Sequence, residues 1–289
     1  MRSFEEVSRP RTCEQMSDRQ RILITVKTYP TLSQKYGETV CTAGVREDGS
    51  WVRIYPVPFR RLGEEEQYRK FDWVECRLLR NPADTRPETF RPADTRELMP
   101  VGHLGTEDAW RDRRRLLLKT ARVYDRLDEV IAGAKANEIS LSVFRPTRVL
   151  DLIVEEDERE WDLSKVAAFR EASDQRELFS DDSWRETFRL VRKLPYKFSF
   201  RFEDATGTQS KLRILDWEIG ALYWNCLARA NGDERAALTN VRRKYLDDFS
   251  RKDLHFFLGT TLQWHHVAPN PWVVIGVLPI PHESQSSLF

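Results

Sequence analysis

Several kinds of chemistry are missing from this sequence. Cysteine is sparse: Cys13, Cys41, Cys76 and Cys226 lie far apart with no Cys-x-x-Cys pair. That excludes the usual zinc spacing and a disulfide framework, and four reduced thiols are expected. The 12 glycines form neither a phosphate-cradling loop nor a Gly-x-Ser-x-Gly elbow, and no cysteine stands where a neighbour would activate it. No apolar run approaches a membrane span, and the opening MRSFEEVSRPRT has no signal-peptide core, so a cytoplasmic protein with no membrane role is expected. Net charge is also lacking, at +1 although 32% of residues are charged. Affinity for an anion must therefore come from local clusters of Arg and Lys.

What is present is a chain of 289 residues, long enough for two cores. The pattern predicts an α+β protein in five parts. Residues 1–20 form a polar arm, and 21–155 a β-rich unit, a small barrel-like meander with one long helix. Residues 156–195 are a charged helix or linker, 196–280 a smaller α+β unit, and 281–289 a flexible tail. In the first unit, strands 38–45 and 50–57 flank Arg46-Glu47-Asp48-Gly49, a good hairpin connection. Asn81 to Pro100 read as extended loop, with two similar pieces around Asp84-Thr85-Arg86 and Asp94-Thr95-Arg96 that are not counted as a repeat of structural weight. Thr106 is the expected cap of a helix over 106–134, whose cations Arg111, Arg113, Arg114, Arg115 and Lys119 make either a solvated face or a nucleic-acid face. Strand 140–155 is expected to close the unit, and Asp216 to cap a helix further on.

The stretch 22–61 concentrates basic and aromatic residues: Lys27, Tyr29, Lys35, Tyr36, Trp51, Arg53, Tyr55, Arg60 and Arg61. Period two puts Trp51, Arg53 and Tyr55 on one strand face and Val52, Ile54 and Pro56 on the other. Aliphatics toward the core leave a Trp-Arg-Tyr ladder for phosphates and stacked bases, although aromatic residues in strands are also common core material. These nine residues are the candidate nucleic-acid-binding set, with DNA the favoured ligand. No cofactor and no metal site is expected: His265 and His266 are adjacent and, on a strand, point to opposite faces. Asp216 and Glu218 following Lys211 and Arg213 could make a nuclease-like acid cluster, but a helix cap with a salt-bridged first turn explains them more simply.

The segments KTYPT, YGETVCTAG and WVRIYPVPFR resemble a family of uncharacterised bacterial proteins, and the likeness continues through LDWEIGALYWNC and NPWVVIGV. The resemblance covers most of the chain and transfers no activity. By fold analogy the meander resembles a PUA-like barrel, a class that reads RNA or modified bases. Gln285-Ser286-Ser287-Leu288-Phe289 is similar to the Gln-x-x-Leu-Phe peptide that docks bacterial factors on the replication sliding clamp. One copy in a chain this long arises by chance with probability ~0.04. Gln285, Leu288 and Phe289 are therefore candidate partner-binding residues, with self-packing of the tail as the alternative. Gln175 to Phe179 repeats the pattern, and there Leu178 and Phe179 are read as pinning the linker. Two functions follow. One is a DNA-associated reader or accessory factor of repair, replication or phage defence. The other is an enzyme on nucleic acid or a nucleotide, with a site around Tyr29, Lys35, Glu38, Arg53 and an acid or His of the second half.

Overall fold

The computed structural model describes residues 19–33, 37–62, 67–167 and 191–282. Its first sheet has strands β1 (Gln20–Lys27), β2 (Thr31–Ser33), β3 (Gly37–Val45), β4 (Trp51–Val57), β5 (Asp72–Cys76), β6 (Leu78–Arg80), β7 (Thr89–Pro92) and β8 (Met99–His103). They run in the order β6-β7-β4-β3-β1-β5-β8, with β2 on β3, and curl into a half-barrel. The β3–β4 hairpin turns where Gly49 takes φ +82 and the Asp48 carboxylate accepts from the Ser50 amide (2.9 Å) and hydroxyl (2.7 Å). A side chain at this φ would be strained, so the turn needs its glycine.

The second sheet holds β9 (Val123–Tyr124), β10 (Leu141–Phe144), β11 (Arg148–Glu156), β12 (Tyr196–Glu203), β13 (Gln209–Ile214), β14 (Asp253–Thr260) and β15 (Trp272–Ile280). Its order is β11-β12-β13-β15-β14-β10-β9. Helices α2 (Leu127–Lys135), α3 (Trp217–Arg229) and α4 (Glu234–Arg242) cover one face. Asp216 caps α3 as expected, accepting from the Glu218 amide at 3.1 Å. The free thiols Cys76 and Cys226 are buried and Cys41 is half-buried.

The mixed α+β architecture agrees with the sequence reading; three local features differ from it. The expected helix over 106–134 breaks up. In α1 (Glu107–Arg114) residues Asp108, Ala109 and Trp110 take positive φ, a wide turn Arg115–Thr120 follows, and β9 separates it from α2. Leu117 packs between the two sheets and Val130 packs under the second sheet's helices, so the chain bends to send apolar groups of the two pieces into different cores. Strand 140–155 does not close the half-barrel, because β10 pairs with β14 and β11 with β12 in the second sheet. The Pro-rich loop contributes β7, which pairs in parallel with β4.

Three apolar clusters follow from this layering. Ile22, Ile24, Val52 and Ile54 fill the half-barrel, and Phe200, Phe256, Tyr223 and Tyr245 pack the second sheet against its helices. Between the sheets lies a third cluster, with Leu23, Val26 and Val45 facing Val143, Phe257, Ile275 and Leu278. β14 is buried from Leu254 through Thr260 because both its faces are covered. Among the described residues no helix is long and apolar enough to cross a membrane.

Candidate functional site

The edge of the interface opens into a cleft of about 540 Å3, a size typical of small-molecule sites. The half-barrel contributes Tyr29, Arg53, Tyr55 and Arg86. The second unit contributes Asp157, Trp161, Lys193, Tyr196, Lys197, Arg213, Asp216 and the strand end Thr260 to Gln263.

Tyr29 is held from three sides. Its amide donates to Leu215 O (2.8 Å), its hydroxyl donates to Arg192 O (2.7 Å), and that hydroxyl accepts from Trp224 Nε1 (2.8 Å). Burial raises the phenol pKa, so Tyr29 stays neutral. Gly220 of α3 makes room for the ring, since a Cβ there would lie 2.3 Å from Tyr29 Cδ2. Across the cleft, Trp161 donates to Val191 O (2.7 Å).

Asp157 ion-pairs with both Lys197 (2.9 Å) and Arg213 (3.7 Å). Burial pushes its carboxyl up, but hydrogen bonds from Lys197 and the Glu158 amide bring it below the usual carboxylate range. One carboxylate thus serves two cations, and a positive charge is left over at the wall. Asp216 is the opposite case. It is 2% exposed, its Oδ2 has no hydrogen bond, and burial lifts its pKa to about 7 against the pull of Lys70. Thr261 Oγ1 is also buried without a hydrogen-bond partner.

Arg53 corrects the exposed ladder read from period two. The face assignment stands, with Val52 and Ile54 in the half-barrel core. The other face is covered by the second sheet instead of water. Arg53 is 1% exposed and donates to Thr89 Oγ1 (3.1 Å), Ser140 Oγ (2.6 Å), Ser140 O (2.9 Å) and Thr260 O (3.4 Å). Burial and then the neighbouring Arg86 charge bring its pKa down to about 10, so it remains cationic at neutral pH. Trp51 is half-buried, edge-on to Phe257 at 5.9 Å.

Among the other candidates, Lys27 donates to Tyr68 O (3.1 Å) beneath the Phe59 ring, and burial lowers its pKa to about 8. It is a half-buried lysine among aromatics, outside the residues lining the cleft. Arg60 is ion-paired with Glu38 at 2.6 Å, which also occupies the acid proposed for the enzyme reading. Lys35, Tyr36, the side chain of Arg61, Gln175 to Phe179, and Gln285, Leu288 and Phe289 lie outside the described residues. Of the helix cations, Arg111 pairs with Asp108 (3.0 Å) and Arg113 is buried against Leu104 O (2.7 Å). His265 and His266 sit in a turn with rings 4.5 Å apart, and the first is buried while the second is exposed.

The stretch 22–61 thus supplies Tyr29, Arg53 and Tyr55, while Arg86, Trp161, Lys193, Tyr196 and Lys197 are not singled out as site residues by the sequence reading and Arg213 is named there only beside Asp216. One signal was available. Asp84-Thr85-Arg86 and Asp94-Thr95-Arg96 fold alike, each Asp accepting from the Arg amide and guanidinium. The first copy reaches the second sheet, where Arg86 also donates to Thr260 O.

The junction between the sheets coincides with a junction between two family models. The description Domain of unknown function (DUF8758) matches residues 18–119, and Domain of unknown function (DUF8757) matches residues 123–289. No curated protein matches the chain.

Proposed function

Because the chain belongs to the DUF8757 family, whose model spans more than half of it behind a DUF8758 unit, and neither description names an activity, we propose a function from the cleft. The protein is a nucleic-acid-binding reader or accessory factor that takes one nucleotide between its two sheets. The carrying observation is the pairing of aromatic walls with cations in one cleft. Tyr29, Tyr55, Trp161 and Tyr196 offer faces and edges to a base, and Lys197 and Arg213 share one acid and can turn toward a phosphate. DNA is the favoured polymer, in repair, replication or phage defence, and the Gln285, Leu288, Phe289 peptide is the proposed tether to a sliding clamp.

Fluorescence anisotropy with labelled single-stranded DNA over a salt series tests this. Binding should weaken as salt rises, and Lys197→Ala with Arg213→Ala should flatten that dependence. Salt-independent binding, or none, sinks the reading. Deleting Gln285 to Phe289 should abolish capture by a purified clamp and spare DNA binding. A truncated protein that loses stability would mean that the tail packs on its own fold.

One observation favours the enzyme reading. Asp216, held near neutrality by burial with Oδ2 unpartnered, is the kind of group that can move a proton. Incubating the DNA complex with magnesium separates the two. Unchanged DNA fits the reader, and strand cleavage or base release fits the enzyme.

A further inference from the structure

The turn between β14 and β15 is uncharged apart from its histidines, yet it exposes three large apolar side chains. Leu262 is 44% exposed, Trp264 50% and Val267 69%. Such side chains are scarce elsewhere on the described surface, and clustered ones mark a contact. Here the cluster joins the cleft, because Thr261, Leu262 and Gln263 form part of its wall and Trp264 follows directly.

The turn is also built to hold its shape. Trp264 N and His265 N both donate to Thr261 O (3.1 and 2.9 Å), and Ala268 N donates to Trp264 O (3.0 Å). His265, 1% exposed, is its anchor. The Thr260 hydroxyl faces Nδ1 at 2.9 Å and Asn137 Oδ1 accepts from Nε2 at 2.9 Å. A neutral imidazole has one acceptor and one donor nitrogen and satisfies both. Burial, followed by the charges of His266, Arg86 and Arg53, lowers its pKa to about 4 and keeps it neutral. His266 adds a contact to Thr85 Oγ1 (3.0 Å), one residue from the cleft residue Arg86. Apolar groups on a rigid turn meet a partner at little ordering cost.

We infer that this turn is a wedge for nucleic acid: Trp264 and Leu262 stack on the base next to the nucleotide held in the cleft. The inference rests on the cleft reading above and adds the contact that tells a polymer from a mononucleotide. Two features select bases over a protein surface. The apolar patch is continuous with a cationic, aromatic cleft, and the planar indole stands beside it. Extracting a nucleotide unstacks its neighbour, and apolar side chains inserted at such steps replace the lost stacking.

The test compares wild type, Leu262→Ser, Trp264→Ala and Trp264→Phe for binding to deoxynucleoside monophosphates and to single-stranded DNA with 2-aminopurine as the fluorescent base. Trp264→Ala, outside the cleft lining, should bind monophosphates as wild type does, and both it and Leu262→Ser, which also alters the cleft wall, should lose DNA affinity by about ten- to a hundredfold and leave the aminopurine bright. Trp264→Phe should recover most of the affinity and the quenching. Melting curves should superimpose, since both side chains are exposed. Equal DNA affinity with monophosphate binding intact overturns the wedge and leaves the cleft reading standing. So does a wild type that sediments as a dimer and is made monomeric by the substitutions, with DNA binding unchanged, because a second copy then covers the patch. If neither monophosphate nor DNA binds the wild type, the cleft reading falls and the wedge with it.

Discussion

Replacing Arg53 by alanine separates a structural arginine from a phosphate contact. The guanidinium joins Thr89 of the half-barrel to Ser140 and Thr260 of the second sheet. Its partners do not suffer equally when it goes. Ser140 O keeps the Thr260 amide (3.0 Å), Ser140 Oγ keeps Glu88 (2.5 Å), and Thr260 O keeps Arg86. Thr89 Oγ1 loses its hydrogen bond, at about 1–3 kcal/mol for a buried orphan. The void left by the buried stem adds roughly 1–2 kcal/mol. Relief of the repulsion with Arg86 returns part of this, so a net loss of roughly 3 kcal/mol is expected, or about 6–12 °C in melting temperature. Arg53→Lys should recover little, because one ammonium cannot span a fork that bonds through both terminal nitrogens. Differential scanning fluorimetry and urea unfolding give the answer. If Arg53→Ala melts like wild type while DNA affinity drops, Arg53 serves the ligand and the interface argument is wrong.

Asp216 gives a pH signature. Its folded pKa of about 7 lies above the ordinary carboxylate value, so the folded state holds the proton more tightly and the stability it contributes is lost as pH rises from about 4 through 7. Asp216→Asn keeps an oxygen for the Glu218 amide and should flatten that decline, as seen in melting temperature against pH; an unchanged slope refutes the assignment. Gly220→Ala places a methyl 2.4 Å from Tyr29 Cε2 and must push the ring off its hydrogen bonds. It should cost about 1–3 kcal/mol by overpacking and weaken cleft binding, whereas Gly102→Ala, with open space around the added Cβ, should change neither.

Local rules read from the sequence carried much of the fold. Alternation along β4 sorted Val52 and Ile54 from Trp51, Arg53 and Tyr55 because side chains on a strand alternate whatever surrounds it. The Asp48 to Ser50 turn and the Asp216 cap also rest on bonds within a few residues, which the sequence specifies directly. What lay against each face was not legible. Trp51 and Arg53 met a second sheet in place of solvent, and the helix expected over 106–134 bent because Leu117 and Val130 serve different cores.

The same division holds at the candidate site. Basic and aromatic residues crowd 22–61 in the sequence, and Tyr29, Arg53 and Tyr55 do reach the cleft. Their opposing wall comes from positions more than a hundred residues away, with nothing in their spacing to join them. The two Asp-Thr-Arg pieces make the point most simply. Composition and local hydrogen bonding give Arg86 and Arg96 the same bracket, since an aspartate two residues before an arginine can hold both its amide and its guanidinium. Burial then separates them: the Arg86 side chain is 6% exposed and that of Arg96 80%. The sequence by itself determined the bracket, and only the docking of the second sheet, by excluding water from one copy, decided which arginine lines the cleft.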